Sequence, residues 1–257
     1  MLLYKDFLYK GVINMARKML VSDYDGTLKS DLKNLLINIE AVKKFRSEGN
    51  LFTISTGRSY DSIKSECDRY KIEYDFINCL DGSVLYDKNN NLIYANTIHR
   101  QDLIALAITM PGEDIVLSAD YYDMHGLTSF NKYDINSEET TNIVLIHLKL
   151  KLFKSLKEYI SGFSNSYPDI KFEKFYNNYL IKNNFNKSMG LQKLELYLDN
   201  EIEHNNIITV GDNINDLEML REYNGYKMLT SYPCMYRKGL KTTREVHTLI
   251  KKINRLN

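Results

Sequence analysis

The sequence is short of charge imbalance, of cysteine and of long apolar runs, and each shortage removes a class of protein. Lys and Arg number 34 against 33 Asp and Glu, a formal net charge of +1 over 257 residues. That balance lacks the basic footprint of a nucleic-acid binder, and the interleaved charges read as solvated faces. The three cysteines, Cys67, Cys79 and Cys234, are odd in number and widely spaced. They make neither a disulfide framework nor a zinc site, and they read as reduced thiols of a cytoplasmic protein. No apolar run approaches the roughly 20 residues that span a bilayer. The opening segment MLLYKDFLYKGVIN is broken by Lys5, Asp6 and Lys10 and has no small-residue cleavage site, so it does not read as a signal peptide. Residues 1–14 are expected to be an extension ahead of the core, with Met15 as an alternative start. Internal repeats, low-complexity tracts and an evident obligate protein partner are missing as well.

What is present is an ordinary globular composition, 44% hydrophobic and 26% charged. The length suits one large domain or two modest ones. Lys18–Ser22 (KMLVS) is a short apolar run ending at acidic residues and predicts a buried parallel strand. Ser30 and Asp31 can cap a helix whose Leu35, Ile39, Val42 and Phe45 keep helical spacing, and Gly49 suits its end. Leu51–Ser55 predicts a second strand, Tyr60–Tyr70 a helix and Phe76–Leu80 a third strand. This β-α-β-α-β rhythm predicts a doubly wound parallel sheet. The rhythm then changes: a hairpin from Ser83–Tyr86 and Leu92–Ala95, a helix near Gln101–Thr109, a strand near Ile115–Ser118, a polar stretch through Glu138–Asn142, a strand at Ile143–Leu148, a helix over Leu152–Phe163, and a strand pair at Ile170–Tyr176 and Tyr179–Ile181. That mixture predicts an inserted α+β domain over residues 84–182, between core segments 15–83 and 183–257. From Lys187 the first rhythm returns, with strands at Asn206–Val210 and near Tyr226–Leu229 and a last helix near Val246–Ile253.

Four pieces carry chemistry. Asp23-Tyr24-Asp25-Gly26-Thr27-Leu28 follows the first strand directly, where open parallel sheets place their sites. Two acids so close repel unless a cation or proton compensates, and Gly26 permits a tight turn near a ligand. Thr56 and Gly57 follow the second strand and can bind a phosphate oxygen; Thr56 alone reads equally as a helix cap. Lys187 sits at a helix start, against the helix dipole, a conflict that a bound anion removes; alone it reads as an exposed lysine. Gly211-Asp212-Asn213-Ile214-Asn215-Asp216 follows another strand. Asp212 and Asp216 offer the oxygen ligands that magnesium prefers, and Asn215 can donate to phosphate without adding charge. An Asx-rich turn is the plainer alternative there.

Together, in this order, the four pieces resemble the motifs of the haloacid dehalogenase superfamily. The large insertion between the second and third motifs is similar to that of its Cof-type hydrolases, with a C2-type cap. The resemblance implies a Rossmann-like α/β core with an α+β cap that sets substrate specificity. It implies a magnesium-dependent phosphatase acting on a small phosphorylated metabolite, such as a sugar phosphate. Asp23 would be the nucleophile and Asp25 the general acid and base. Tyr24, Thr56, Gly57, Lys187 and Asn215 would hold the phosphate. Asp23, the backbone carbonyl of Asp25, and Asp212 would hold the magnesium, with Asp216 supporting them. A phosphomutase using the same aspartyl-phosphate, or a catalytically silent binding protein, are the alternatives. Two places depart from the pattern: Asp81-Gly82 stands where Asn-Gly is usual, and Ser231–Leu240 is less typical. In the insertion, Asp120–His125 reads as a plain cap strand with possible contact to a polar substrate group, and His147 reads as structural.

Overall fold

The computed structural model describes residues 17–112, 114–123, 127–128, 142–151, 155–199, 201–236 and 239–255. The 1–14 extension, Met124, His125 and residues 138–141 of the polar stretch lie outside them. In chain order the first segment is β1 (Met19–Ser22), α1 (Leu32–Ser47), β2 (Leu51–Ser55), α2 (Tyr60–Tyr70), β3 (Phe76–Cys79), β4 (Val84–Asp87) and β5 (Leu92–Ala95). The middle segment is α3 (Arg100–Thr109), β6 (Val116–Asp123), β7 (Leu127–Thr128), β8 (Ile143–Leu150), α4 (Lys157–Ser166), β9 (Ile170–Phe175) and β10 (Asn178–Asn183). The last segment is α5 (Lys187–Leu198), β11 (Ile207–Gly211), α6 (Leu217–Glu222), β12 (Asn224–Met228), β13 (Lys241–Thr243) and α7 (Val246–Arg255).

The strands sort into two sheets. One has the order β13-β12-β11-β1-β2-β3-β4-β5. Its first six strands are parallel, and the β4–β5 hairpin closes one edge antiparallel. β1, β2 and β3 are buried along their whole length, as strands covered on both faces must be. On one face lie α1, α2 and α7, which bury Leu35, Val42, Ile63 and Leu249 against Leu20, Phe52 and Ile54. On the other lie α5 and α6, with Leu191, Leu194 and Leu220 against Met19 and Val21. The cap on α1 is Asp31, whose carboxylate accepts from the Asn34 N–H at 2.8 Å.

The second sheet is antiparallel throughout, in the order β7-β6-β8-β10-β9. α3 and α4 cover one face, where Leu103, Leu106 and Phe163 pack on Ile146, Leu148 and Ile181. The chain enters this unit after β5 and leaves it after β10. Asn183 ties the two passages, donating to Asn96 Oδ1 (3.1 Å) and the Thr97 carbonyl (2.9 Å).

Four readings shift. The hairpin assigned to the insertion pairs with β3, so residues 84–95 belong to the core sheet. β6 is one strand over Val116–Asp123, joining the strand expected near Ile115–Ser118 to the cap strand expected from Asp120, because ladder bonds to β8 hold its polar half in the sheet. α4 starts at Lys157, with Ser155 and Leu156 outside it, and residues 152–154 of the expected helix lie outside the described residues. β7 and β13, only two and three residues long, carry no periodic pattern to read. Among the described residues, no helix is long and apolar enough to cross a membrane.

Candidate active site

β11, β1, β2 and β3 are neighbours in the core sheet, and each ends in a residue singled out from sequence: Asp212, Asp23, Thr56 and, one residue further on, Asp81. The chain winds one way from β1 and the other way from β11, so the β1/β11 boundary is the crevice where open α/β sheets hold ligands. Asp23 continues the ladder, its N–H donating to the Val210 carbonyl at 2.9 Å.

Three carboxylates converge there. Asp23, Asp212 and Asp216 are all buried, and one oxygen from each lies within 4.8 Å of the others. Lys187 stands among them at the first position of α5, almost wholly buried. Its Nζ donates to Asp23 Oδ1 and to Asp216 Oδ1, both at 2.6 Å. The conflict between this lysine and the helix dipole is thus relieved by the protein's own carboxylates, and the exposed-lysine reading does not hold. Asp216 uses its other oxygen to accept the N–H groups of Asp212 and Asn213, each at 3.0 Å. The Thr27 hydroxyl donates to Asp212 Oδ1 at 3.0 Å. Asn78, a polar residue in an otherwise apolar strand, donates to the Lys187 carbonyl at 3.1 Å and so seats the start of α5. Sequence reasoning missed Thr27 and Asn78; the lone Asn inside FINC was the available signal.

Three carboxyl groups share a buried space with one ammonium, an excess of acids over compensating charge. Burial pushes Asp23 up to about 8, with Asp216 and Asp212 adding to the rise and Lys187 opposing it. Burial likewise raises Asp212, opposed by the Thr27 hydrogen bond. Burial alone would lower Lys187, but Asp216, Asp23 and Asp81 outweigh it and hold the ammonium charged. A divalent cation with a preference for oxygen ligands fits this donor set and its residual charge. The space is tightly framed: a Cβ on Gly26 would lie 2.5 Å from Asp212 Oδ2, and one on Gly211 2.5 Å from the Asp216 carboxylate.

The other expected residues surround this cluster unevenly. Asp25 stands apart from the trio at the exposed mouth. Crowding by other carboxylates was expected, yet its partner is Arg58, whose Nε and Nη2 meet the two carboxylate oxygens at 2.6 and 2.7 Å. Arg58 directly follows Gly57 in the sequence but was given no role of its own. The Tyr24 side chain is fully buried in the core, and its hydroxyl donates to Glu66 at 2.6 Å. Only the backbone of Tyr24 is therefore left for an anion. Thr56 is buried; its N–H donates to the Asn78 carbonyl (2.8 Å) and its hydroxyl accepts from the Arg58 N–H (3.2 Å). Gly57 lies against Asp81, where a Cβ would come 3.1 Å from Oδ1. Asn215 donates to that same Asp81 oxygen at 3.0 Å.

A family model described as haloacid dehalogenase-like hydrolase matches residues 20–132 and 112–231, more than half of the chain. The chain belongs to the haloacid dehalogenase-like hydrolases. No curated protein matches its sequence. Among solved structures it is similar to a hypothetical protein of Geobacillus kaustophilus, with TM-score 0.75, 19% identity, 94% of this chain and 99% of that one covered. The phosphatase BT1666 of Bacteroides thetaiotaomicron aligns with TM-score 0.72 and 17% identity over 95% and 97%. The subclass IIB sugar phosphatase BT4131 aligns with TM-score 0.66 and 18% identity over 93% and 98%. At these identities the likeness is one of fold, core and cap together.

In this haloacid dehalogenase-like chain the cap sheet turns a distinct face to the core. Strand alternation and register decide which residues line it. His147 pairs across β8 with Asp120 and Leu180, and Leu145 with Tyr122 and Lys182. The intervening Tyr121, Ile146 and Ile181 belong to the helix-covered side. Tyr122, Leu145, His147 and Leu180 line a cavity of about 350 Å³ whose opposite wall is Gly57, Arg58, Ser59, Ser62 and Leu80. His147 thus faces the cleft between cap and core rather than only the cap interior. Ser231–Leu240 also reaches the site: the Tyr232 N–H donates to the Asp212 carbonyl at 2.9 Å.

Proposed function

We propose that the chain is a magnesium-dependent phosphatase that hydrolyses a small phosphorylated metabolite, a sugar phosphate or a compound like it, through an aspartyl-phosphate on Asp23. The observation that carries this reading is the buried trio Asp23, Asp212 and Asp216 at the strand ends, with Lys187 bridging Asp23 and Asp216 and Asp25 at the exposed mouth. In the first half-reaction an Asp23 oxygen attacks phosphorus, the bond to the leaving oxygen breaks, and Asp25 gives that oxygen its proton. In the second, Asp25 takes a proton from water, which attacks phosphorus and frees Asp23 and inorganic phosphate. Asp23, the backbone carbonyl of Asp25, and Asp212, with Asp216 behind them, would hold a magnesium ion, which would supply the positive charge that lets a carboxylate approach a phosphate dianion. Thr56, Gly57, Lys187 and Asn215 hold the non-bridging oxygens; phosphoryl transfer needs little beyond such positioning and electrostatics. The cap excludes water and meets the leaving group. Three unpaired thiols suit a reducing, cytoplasmic setting.

The test is turnover of p-nitrophenyl phosphate and a panel of phosphometabolites with magnesium, for the wild type and Asp23→Asn. The variant keeps the shape of the side chain and leaves Lys187 its contact with Asp216. Its turnover is expected to fall by roughly a thousandfold or more, with an unchanged thermal midpoint. Near-normal turnover in this variant removes Asp23 from the nucleophile's role.

A further inference from the structure

We propose that Asp81 is a positioning residue: one carboxylate sets the Asn215 amide for phosphate and, with its other oxygen, anchors cap strand β10 through Lys182. The proposal rests on the phosphatase reading, because it takes Asn215 as a phosphate donor.

Each Asp81 oxygen has its own partner. Oδ1 accepts from Asn215 Nδ2 at 3.0 Å, and Oδ2 accepts from Lys182 Nζ at 2.8 Å. A carboxylate has no proton to donate, so it can face only the NH₂ end of an amide. That settles which way Asn215 is turned, and it leaves the second Nδ2 proton for another acceptor. Asparagine at position 81 has one acceptor and one donor. With Asn215 turned as it is, serving both would set NH₂ against NH₂ or NH₂ against an ammonium; the amide at 81 keeps both partners only if Asn215 flips and presents its oxygen instead. Lys182 is only 2% exposed, and its second carboxylate neighbour, Glu173, is further off at 3.5 Å. Loss of Asp81 therefore leaves a buried charge poorly matched.

The backbone is built for this placement. Leu80 and Asp81 have φ of +48° and +52°, followed by Gly82 at +96°. A left-handed leucine is costly and persists only where its surroundings over-determine it. They do so here. The Leu80 N–H donates to the Arg58 carbonyl (3.0 Å) and the Asp81 N–H to the Thr56 carbonyl (3.1 Å). A Cβ on Gly82 would meet the Asn186 carbonyl at 2.2 Å. The turn is thus clamped between the loop after β2 and the start of α5, with its carboxylate aimed at Asn215 and β10.

The decisive measurement is calorimetric binding of inorganic phosphate, with magnesium present, to wild type, Asp81→Asn, Asn215→Ala and the double variant. Asp81→Asn is expected to weaken phosphate about tenfold. In the Asn215→Ala background the same change is expected to add less than twofold, since its target is gone. Undiminished binding in Asp81→Asn, or effects that simply add, overturns the proposal and leaves the phosphatase reading standing. A wild type that binds no phosphate overturns both. If Asp81→Asn does not fold, the wild type decides. The Asn215 side-chain amide, assigned by its disappearance in Asn215→Ala, is expected to show one downfield, slowly exchanging proton. Two fast-exchanging protons overturn the proposal.

Discussion

At the scale of single residues, the site is governed by what a small side chain allows a carboxylate to do. Gly26 has φ of +82°, and the space its Cβ would fill is taken by Asp212 at 2.5 Å. An alanine there meets two penalties: left-handed backbone, worth about 1–2 kcal/mol, and displacement of Asp212 from the trio. Gly26→Ala is therefore expected to lower the thermal midpoint modestly. Its larger effect should be on magnesium: the rise in midpoint that the wild type gains on adding magnesium should shrink or vanish. An unchanged magnesium response would show that Asp212 is not a ligand. The acids and Lys187 were legible in the sequence because their chemistry needs a type of residue at a type of place. Tyr24 shows where that legibility stops. The family resemblance implied a phosphate role for it, but its ring is buried in the same core as Leu20 and Phe52. Arg58, next to Gly57, was not legible as the partner of Asp25, a pairing between residues 33 apart that only the folded sheet creates.

At the scale of elements, most strands and helices were legible from period and caps, and the failures concern partners rather than types. The β4–β5 hairpin was recognised from its turn, yet which sheet it joins depends on ladder bonds to β3 that no local pattern encodes. β6 was read as two separate pieces, Ile115–Ser118 and a cap strand from Asp120, because Asp120 breaks the apolar run; ladder bonds to β8 make them one strand, and Tyr122 in its polar half lines the cleft. A similar cross-element tie holds α2 to the loop after β1: Glu66 accepts from the Tyr24 hydroxyl and from Lys29. The Lys29 and Tyr24 hydrogen bonds hold the Glu66 carboxyl below its ordinary 4.5, against a smaller opposing effect of burial. A lowered folded value means stability that is present above about 4.5 and lost as pH falls through the lower folded value. Glu66→Gln, which removes the charge, is expected to cost about 1 kcal/mol near neutrality. That deficit against the wild type should shrink as pH falls below about 4.5 and close once the wild-type carboxyl, at its lower folded value, has also gained its proton. Denaturant titrations of both proteins across that range check it; a deficit independent of pH would assign the effect to packing.

At the scale of the whole molecule, the proposed function divides the substrate between the two sheets. The groups proposed to hold phosphate, Thr56, Gly57, Lys187 and Asn215, all sit on the core, while the cleft wall opposite Arg58 is made by cap residues Tyr122, Leu145, His147 and Leu180. The cap has its own apolar core under α3 and α4, and the paired passages tied by Asn183 join it to the rest. A change on the cleft face of β8 can therefore alter one half of recognition without the other. His147→Ala removes one polar group from the cap wall and nothing from the phosphate cradle. For the best ester found in the panel, KM is expected to rise about three- to tenfold, the scale of one neutral hydrogen bond. The inhibition constant of inorganic phosphate should stay within twofold, because phosphate alone does not reach the cap. Asp81→Asn, acting on the cradle, should move both constants. If His147→Ala weakens phosphate as much as it weakens the ester, the cap wall is part of the phosphate site and the division fails. If it changes neither, His147 is only a strand residue, as its alternation with apolar neighbours first suggested.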